Sequence, residues 1–392
     1  FRTEQVRFLH TTEGAMTGWA EPSPFVFDAP VAPGMLIGRD AEAASLRSWA
    51  RAGRSTVLVA PRRYGKTSLL TRVQADAERL DRMPVILVDL YELASMSDLV
   101  IRLERAWARH VPGRLRSRLA RALAGSEVGL NVLGTGFQMR LADRPQSDPL
   151  PALHALLGLP DQLGGRGGRT LIVFDEFQSI GAVDAAEGLI RSYVQAQRDS
   201  AAYIFCGSQP SMMARIFGDQ ARPFYSQAQR FELGPLDIGV LTGAVSDIFE
   251  QAGRIDCEPA IAALMHRAEG HPQRSMLLAH LLWQRVPPGK PPAADIADVV
   301  LTDVLAAVSA EIVAMLDVLP TTEKKTLRAI AEYGTPLSSR ALRDLNLAKT
   351  SAQSASGSLL DRALVERTPQ GWRIIDPLTA RWLRVRYPTR PA

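Results

Sequence analysis

The sequence predicts an α/β protein in which helices cover both faces of a parallel sheet, followed by a helical segment and a compact final module. Three observations carry this expectation. Short apolar runs at Thr56–Val59, Pro84–Leu90, Thr170–Phe174 and Tyr203–Cys206 alternate with helical patterns, and strands buried on both faces read as such continuous runs. The first run leads into a Gly-Lys-Thr triplet that opens a helix. A stretch of helices without strands then separates this region from a helix–helix–helix–hairpin order at the end. The chain has 392 residues, 46% hydrophobic and 22% charged. That balance excludes a disordered, collagenous or coiled-coil chain, and the length allows two or three domains at about 100–200 residues each.

In chain order, residues 1–33 are expected to form an N-terminal arm. Residues 1–15 are set aside because Met16 opens a more convincing native segment. Pro22, Pro24, Pro30 and Pro33 forbid a helix across 16–37. Asp40 is a plausible N-cap for a helix running to Ala52, and further helices are predicted over Thr67–Arg79, Ser97–His110 and Ala185–Asp199. An insertion at 112–168 holds a basic stretch, GRLRSRLARAL, best read as a solvated helix face. It continues with a hairpin-like alternation over Val128–Leu141 and a Gly164–Gly168 turn. Residues 34–236 are thus expected to form the core, 237–319 a helical lid and linker broken at Val286–Ala293, and 320–392 the final module.

The chemistry begins at Ala60-Pro61-Arg62-Arg63-Tyr64-Gly65-Lys66-Thr67-Ser68, directly after the first strand. Strand, GxxxxGK[ST] and helix in that order form a P-loop, here with Ala60 in place of the first glycine. Its amides and the positive helix end wrap phosphates. Lys66 is expected to neutralise the β- and γ-phosphates, and the Thr67 hydroxyl to hold Mg²⁺. The run Leu171–Glu176 is an apolar strand ending in two acids. Expected beside the P-loop strand, it would deliver Asp175 to the metal and place Glu176 to orient or deprotonate the attacking water. Ser208 and Gln209, at the end of the fourth strand, are candidates for sensing the γ-phosphate. Arg215 and Arg222 are candidate arginine fingers or ordinary surface arginines, and Arg274, after Glu269-Gly270-His271-Pro272, either reaches the nucleotide from the lid or begins a structural helix.

These pieces resemble the archaeal-type AAA ATPase family, in the signal-transduction (STAND) branch of P-loop proteins. The matching segments are GRDAE (Gly38–Glu42), PRRYGKTSLL (Pro61–Leu70), LIVFDEFQ (Leu171–Gln178), YIFCGSQPSMM (Tyr203–Met213), IFGDQARPFY (Ile216–Tyr225), EGHPQ (Glu269–Gln273) and IIDPLTARWLR (Ile374–Arg384). The resemblance implies an ATP-binding αβα sandwich, a helical lid and a C-terminal winged helix. Lys66 and Thr67 then fall at the P-loop positions, Asp175 and Glu176 at the metal and water-activating positions, and Ser208 at the sensor position. This chain departs at Ala60, and at Ser226, where relatives often carry an arginine.

The final module has the order of a winged helix. Its helices are predicted over Glu323–Glu332, Ser338–Leu345 and Ser351–Ala363, and its wing strands over Leu364–Arg367 and Trp372–Ile375. Residues 313–392 hold 13 Lys/Arg and 7 Asp/Glu against a whole-chain net charge of +5, so the excess of positive charge sits here. Lys349, Arg362, Arg367, Arg373 and Arg384 are the candidate double-stranded DNA contacts; docking to a protein partner or to itself is the other use of such a module.

Two cysteines, Cys206 and Cys257, give no disulfide framework, so a reducing cytoplasm is expected. No apolar run looks long enough for a membrane span, and the six histidines show no zinc-binding spacing. The expected function is an ATP-binding, Mg²⁺-dependent, ATP-hydrolysing switch whose winged helix acts on a partner. The alternative is an ATP-dependent DNA-binding regulator or initiator-like protein with little hydrolysis.

Overall fold

The structure, a computed structural model, describes residues 22–110, 130–131, 138–139, 148–163 and 168–388. The basic stretch at 113–123, most of the predicted hairpin loop, residues 164–167 of the glycine turn, and residues 1–15 lie outside the described residues. Helix α1 (Asp40–Arg51) precedes strand β1 (Thr56–Val59), helix α2 (Lys66–Leu80), strand β2 (Val85–Asp89) and helix α3 (Met96–His110). A short antiparallel pair, β3 (Leu130–Asn131) with β4 (Gln138–Met139), marks the predicted hairpin. Helices α4 (Leu150–Leu157) and α5 (Leu159–Leu163) lead to β5 (Thr170–Asp175). Then follow α6 (Ala186–Ala196), β6 (Ala201–Gly207), α7 (Pro210–Gly218) and β7 (Gln229–Glu232).

The five core strands are parallel, in the order β2-β5-β6-β1-β7. One expectation is corrected here, and one strand is added. The strand carrying Asp175 does not lie beside the P-loop strand, because β6 pairs with both. A fifth strand, β7, was not legible in the sequence: its QRFE text is largely exposed at the sheet edge and shows no apolar run. Strands β1, β5 and β6 are buried along their whole length. All the parallel strands deliver their C-terminal ends to one edge, which is where ligands bind in open α/β sheets.

The lid comprises α8 (Ile238–Gln251), α9 (Glu258–Arg267) and α10 (Pro272–Arg285). Side-chain caps set two of its starts: Asp237 Oδ1 accepts from Val240 N at 2.9 Å, and His271 Nδ1 accepts from Arg274 N at 3.3 Å. Helix α11 (Ile296–Asp317) then connects to α12 (Thr321–Tyr333), α13 (Ser339–Asp344), α14 (Lys349–Asp361), β8 (Val365–Thr368), β9 (Gly371–Ile374) and α15 (Pro377–Arg386). The winged-helix order is as predicted, with α15 added after the wing.

Contrary to the sequence expectation, α11 is long and apolar enough to cross a membrane by length and composition, with mean hydropathy 2.1 over the relevant window. Its inward residues Val300, Val304, Val308 and Ile312 instead join the lid core around Phe249 and Leu264 to the winged-helix core around Leu327 and Ile374. The arm enters the same core: Phe25 stacks on Phe249 with ring centroids 5.6 Å apart.

Candidate functional site

The P-loop occupies the turn between β1 and α2. Gly65 precedes α2 with φ +81, a left-handed conformation open to glycine without penalty. Arg63 also has positive φ, whereas Ala60 does not. The missing first glycine therefore imposes no backbone strain at Ala60. Tyr64 turns away from the phosphate side and packs on the His271 ring at 4.9 Å.

Lys66 is 6% exposed and donates from Nζ to the carbonyls of Ala60 at 2.9 Å and Pro61 at 2.8 Å. Burial lowers its pKa, with the nearby Asp175 and Glu176 carboxylates opposing the shift. Asp175 closes β5, is itself buried, and has its pKa raised by that burial. Its Oδ2 lies 3.5 Å from Thr67 Oγ1. One buried carboxylate and one hydroxyl, side by side and facing the loop, suit a divalent cation that takes its remaining ligands from phosphate and water. No cluster of three or more His, Cys, Asp or Glu suited to a metal occurs among the described residues.

Glu176 sits at φ +52, a left-handed conformation uncommon for a non-glycine residue. Ser208 Oγ donates to its Oε2 at 2.6 Å, and Gln178 Nε2 donates to the same oxygen. Thus Glu176 and Ser208, predicted separately, meet directly, although they come from β-strands' ends 32 residues apart in sequence.

Above the loop lies a cleft of about 360 Å³, a size suited to a small ligand. Arg62, Arg63, Gly65, Lys66, Thr67, Ser68 and Glu176 contribute its polar side. Arm residues 26–31 and 35–37, apolar except for Asp28, and lid residues Pro272, Gln273 and Met276 line the other side. Ser68 also anchors the arm, its Oγ accepting from Val31 N at 3.1 Å. The arm's part in the pocket was not foreseen, because its sequence carries no ligand-binding motif.

A second cleft, of about 800 Å³, lies across the loop between the core and the winged helix. Pro61 and Arg63 border it from the loop, Ser208 and Gln209 from β6, and Ile312 and Met315 from α11. Arg274 faces this second cleft and does not line the first. Its guanidinium binds the Asp376 carboxylate through Nε at 3.1 Å and Nη2 at 2.6 Å, with Glu311 at 3.8 Å. The carboxylate of Asp376 also caps α15 through Leu378 N at 3.0 Å. Arginine pairing holds its pKa down against the upward push of burial, the largest single influence.

Ion pairs also hold the seam elsewhere: Arg63 with Glu311 at 2.5 Å, Arg215 with Asp361 at 2.8 Å, and Arg373 with Glu269 at 3.6 Å. Arg222 does not reach the phosphate cleft of its own chain. It pairs with Glu187 on α6 at 2.5 Å.

Of the candidate nucleic-acid contacts, Arg362 pairs with Glu323 at 3.4 Å, and Arg373 pairs with Glu366 on the neighbouring strand. Arg384 Nε donates to Ala331 O at 2.6 Å, and Arg367 lies 4.7 Å over the Trp372 ring. Lys349 is exposed at the start of α14. These arginines therefore serve internal contacts, which nothing in the sequence could separate from phosphate contacts.

The Walker-type ATPase of Pyrococcus abyssi is similar to this chain at TM-score 0.65 and 18% identity, over 92% of this chain and 99% of that one. The ORC2 protein of Aeropyrum pernix, as ADPNP–ADP complexes, is similar at TM-score 0.56 and 18% identity, over 92% and 95%. No curated protein matches by sequence. A family model described as a probable winged helix domain matches residues 311–385. Identities this low speak to architecture alone, and that architecture is an αβα core with a P-loop turn, a helical lid and a C-terminal winged helix.

Proposed function

We propose that the chain is an ATP-binding and ATP-hydrolysing switch of the AAA/STAND kind, in which the nucleotide governs how the winged helix sits on the core. The observation that carries this reading is the Arg274–Asp376 pair: an arginine in the helix whose first turn borders the phosphate cleft is engaged by the winged helix instead. A nucleotide triphosphate offers that guanidinium a competing anion, so binding at one site biases the other.

In the proposed reaction the loop amides and Lys66 hold the β- and γ-phosphates. Thr67 and Asp175 would hold Mg²⁺, which when bound screens the phosphate charge. Glu176 accepts the proton of the attacking water as the water oxygen bonds to the γ-phosphorus and the bond to the ADP oxygen breaks. Ser208 orients Glu176. Arg222 would serve a neighbouring copy only after leaving Glu187, which makes slow turnover by a monomer the expected behaviour.

Nucleotide-dependent sizing together with an ATPase assay tests the reading. Wild type should bind and slowly hydrolyse Mg–ATP and change its hydrodynamic radius, whereas Asp376→Ala should show the changed radius without nucleotide. Identical radii under all four conditions would exclude the coupling.

A second reading, duplex DNA as the partner, draws support from α14, whose first half exposes Lys349, Ser351, Gln353 and Ser354 while its far end pairs with α7 through Asp361. Fluorescence anisotropy across a salt series checks it: affinity should fall steeply with salt and drop in Lys349→Ala.

A further inference from the structure

Gln178 lies two residues beyond Glu176, on the 3₁₀ turn Phe177–Ala182, and is 5% exposed. Its Nε2 donates to Glu176 Oε2 and stands 3.4 Å from Ser208 Oγ. An ionised carboxylate only accepts, so the NH₂ end of the amide must face Glu176. The opposite end, Oε1, is buried with no hydrogen-bond partner. It is pressed toward Gly207, where an added Cβ would come within 2.8 Å of it and within 2.5 Å of Met213.

A buried amide oxygen left unsatisfied destabilises the fold, and an apolar side chain of the same size would avoid that penalty. The amide is therefore not explained by packing. Its amide nitrogen is spent on Glu176 and, more weakly, on Ser208, which itself holds Glu176.

We infer that Gln178 is a positioning residue for Glu176, an inference that rests on the proposed role of Glu176 as the water-activating base. Gln178 and Ser208 together occupy Oε2 from the β6 side. The carboxylate is thereby held through one of its oxygens, on a residue that lines the phosphate cleft. Gly207 is part of the device, because the absence of a Cβ there leaves room for the amide.

The experiment is a double-mutant cycle between Gln178→Leu and Glu176→Gln on the full chain. It is read by single-turnover hydrolysis, by affinity for a non-hydrolysable ATP analogue, and by thermal midpoint. Gln178→Leu is expected to lower kcat about tenfold, at the modest end of the range for acid–base positioning. KM and analogue affinity should stay within about twofold, since only a transition-state interaction is lost. The midpoint should stay level or rise, because the unsatisfied oxygen is gone. In the Glu176→Gln background, Gln178→Leu should produce no further loss.

An unchanged or raised kcat in Gln178→Leu overturns the inference, as does a lowered midpoint accompanied by weakened analogue binding. An equal loss in both backgrounds overturns it too, because the residue would then act independently of Glu176. Gln178→Met, with a flexible chain that packs the same space, should reproduce the leucine result. Should Glu176→Gln itself turn over at the wild-type rate, the base assignment falls and this inference with it. A silent Gln178→Leu beside a dead Glu176→Gln removes only the positioning role.

Discussion

The phosphate cleft and the winged-helix seam lie on two sides of the same P-loop, yet they are built in opposite ways. On the phosphate side, Lys66, Asp175 and Ser208 are each less than a tenth exposed, and their positions follow from strand ends and one tight turn. Across the loop, the seam is held by charged pairs of very unequal burial. Arg274 keeps 3% of its side-chain surface, whereas Arg215 and Asp361 keep 61% and 49%. A buried, preorganised group acts through what it does to a ligand; an exposed pair contributes little to stability and breaks readily. On the proposed reading the phosphate side is a rigid floor under the winged helix, with Arg274 as the most buried bolt among the ion pairs of the seam.

The sharpest test of the floor is Lys66→Ala against Glu176→Gln. Isothermal titration with Mg–ATP should show affinity falling by at least about a hundredfold in the first variant and unchanged in the second. Hydrolysis should fall about 10²–10⁴-fold in Glu176→Gln. If both variants keep wild-type turnover, the floor is misassigned.

Next in size is the bolt itself. Arg274→Ala leaves Asp376 partly buried with no arginine partner and should destabilise the chain by about 3 kcal/mol in denaturant unfolding. A smaller loss than that from Arg215→Ala would reverse the proposed ranking of the two contacts.

His271, between Tyr64 and the Arg274–Asp376 pair, supplies a pH handle on the seam. Burial is the largest influence on it and lowers its pKa from 6.5 to about 4. The unfolded chain then binds the proton first as pH falls. The stabilisation is complete above about pH 6.5 and is lost progressively down to about pH 4. It amounts to about 3 kcal/mol at most for a shift of this size. A protonated Nδ1 would also give up the cap on Arg274 N. Unfolding free energies measured across this window should slope upward with pH in wild type and flatten in His271→Asn.

The smallest expected effect belongs to Arg215→Ala. Breaking its exposed pair with Asp361 should change stability by less than about 1 kcal/mol. Its use is as a control: a nucleotide-dependent change in radius that survives Arg215→Ala but not Asp376→Ala would place the control point at Arg274.

The legibility of the two regions differs for the same reason that their physics does. The loop–helix turn at Lys66 and Thr67 and the strand ending at Asp175 could be placed because phosphate chemistry demands particular residues at fixed distances along a strand–loop–helix, and apolar runs announce buried strands. Strand β7 escaped because an exposed edge strand has no such run. Gln178 stood in plain text beside Glu176, but its role depends on Ser208 and Gly207, which arrive from another strand. Arg373 and Arg384 looked like any basic residues on a wing and tail; only their contacts with Glu366 and Ala331 separate them from Lys349.

By itself the sequence determined the parallel sheet, the phosphate loop and the order of lid and winged helix, since each is encoded by local pattern: burial periodicity and helix breakers. The cap expected of Asp40 is not made, because α1 begins at that residue and Arg39 stands before it. Tertiary structure alone decided that β6 lies between the loop strand and the acidic strand, that the arm walls the cleft, and that Arg274 is joined to Asp376, 102 residues away. These depend on which surfaces meet after the chain has folded, and long-range pairing of charges leaves no periodic trace in the order of residues.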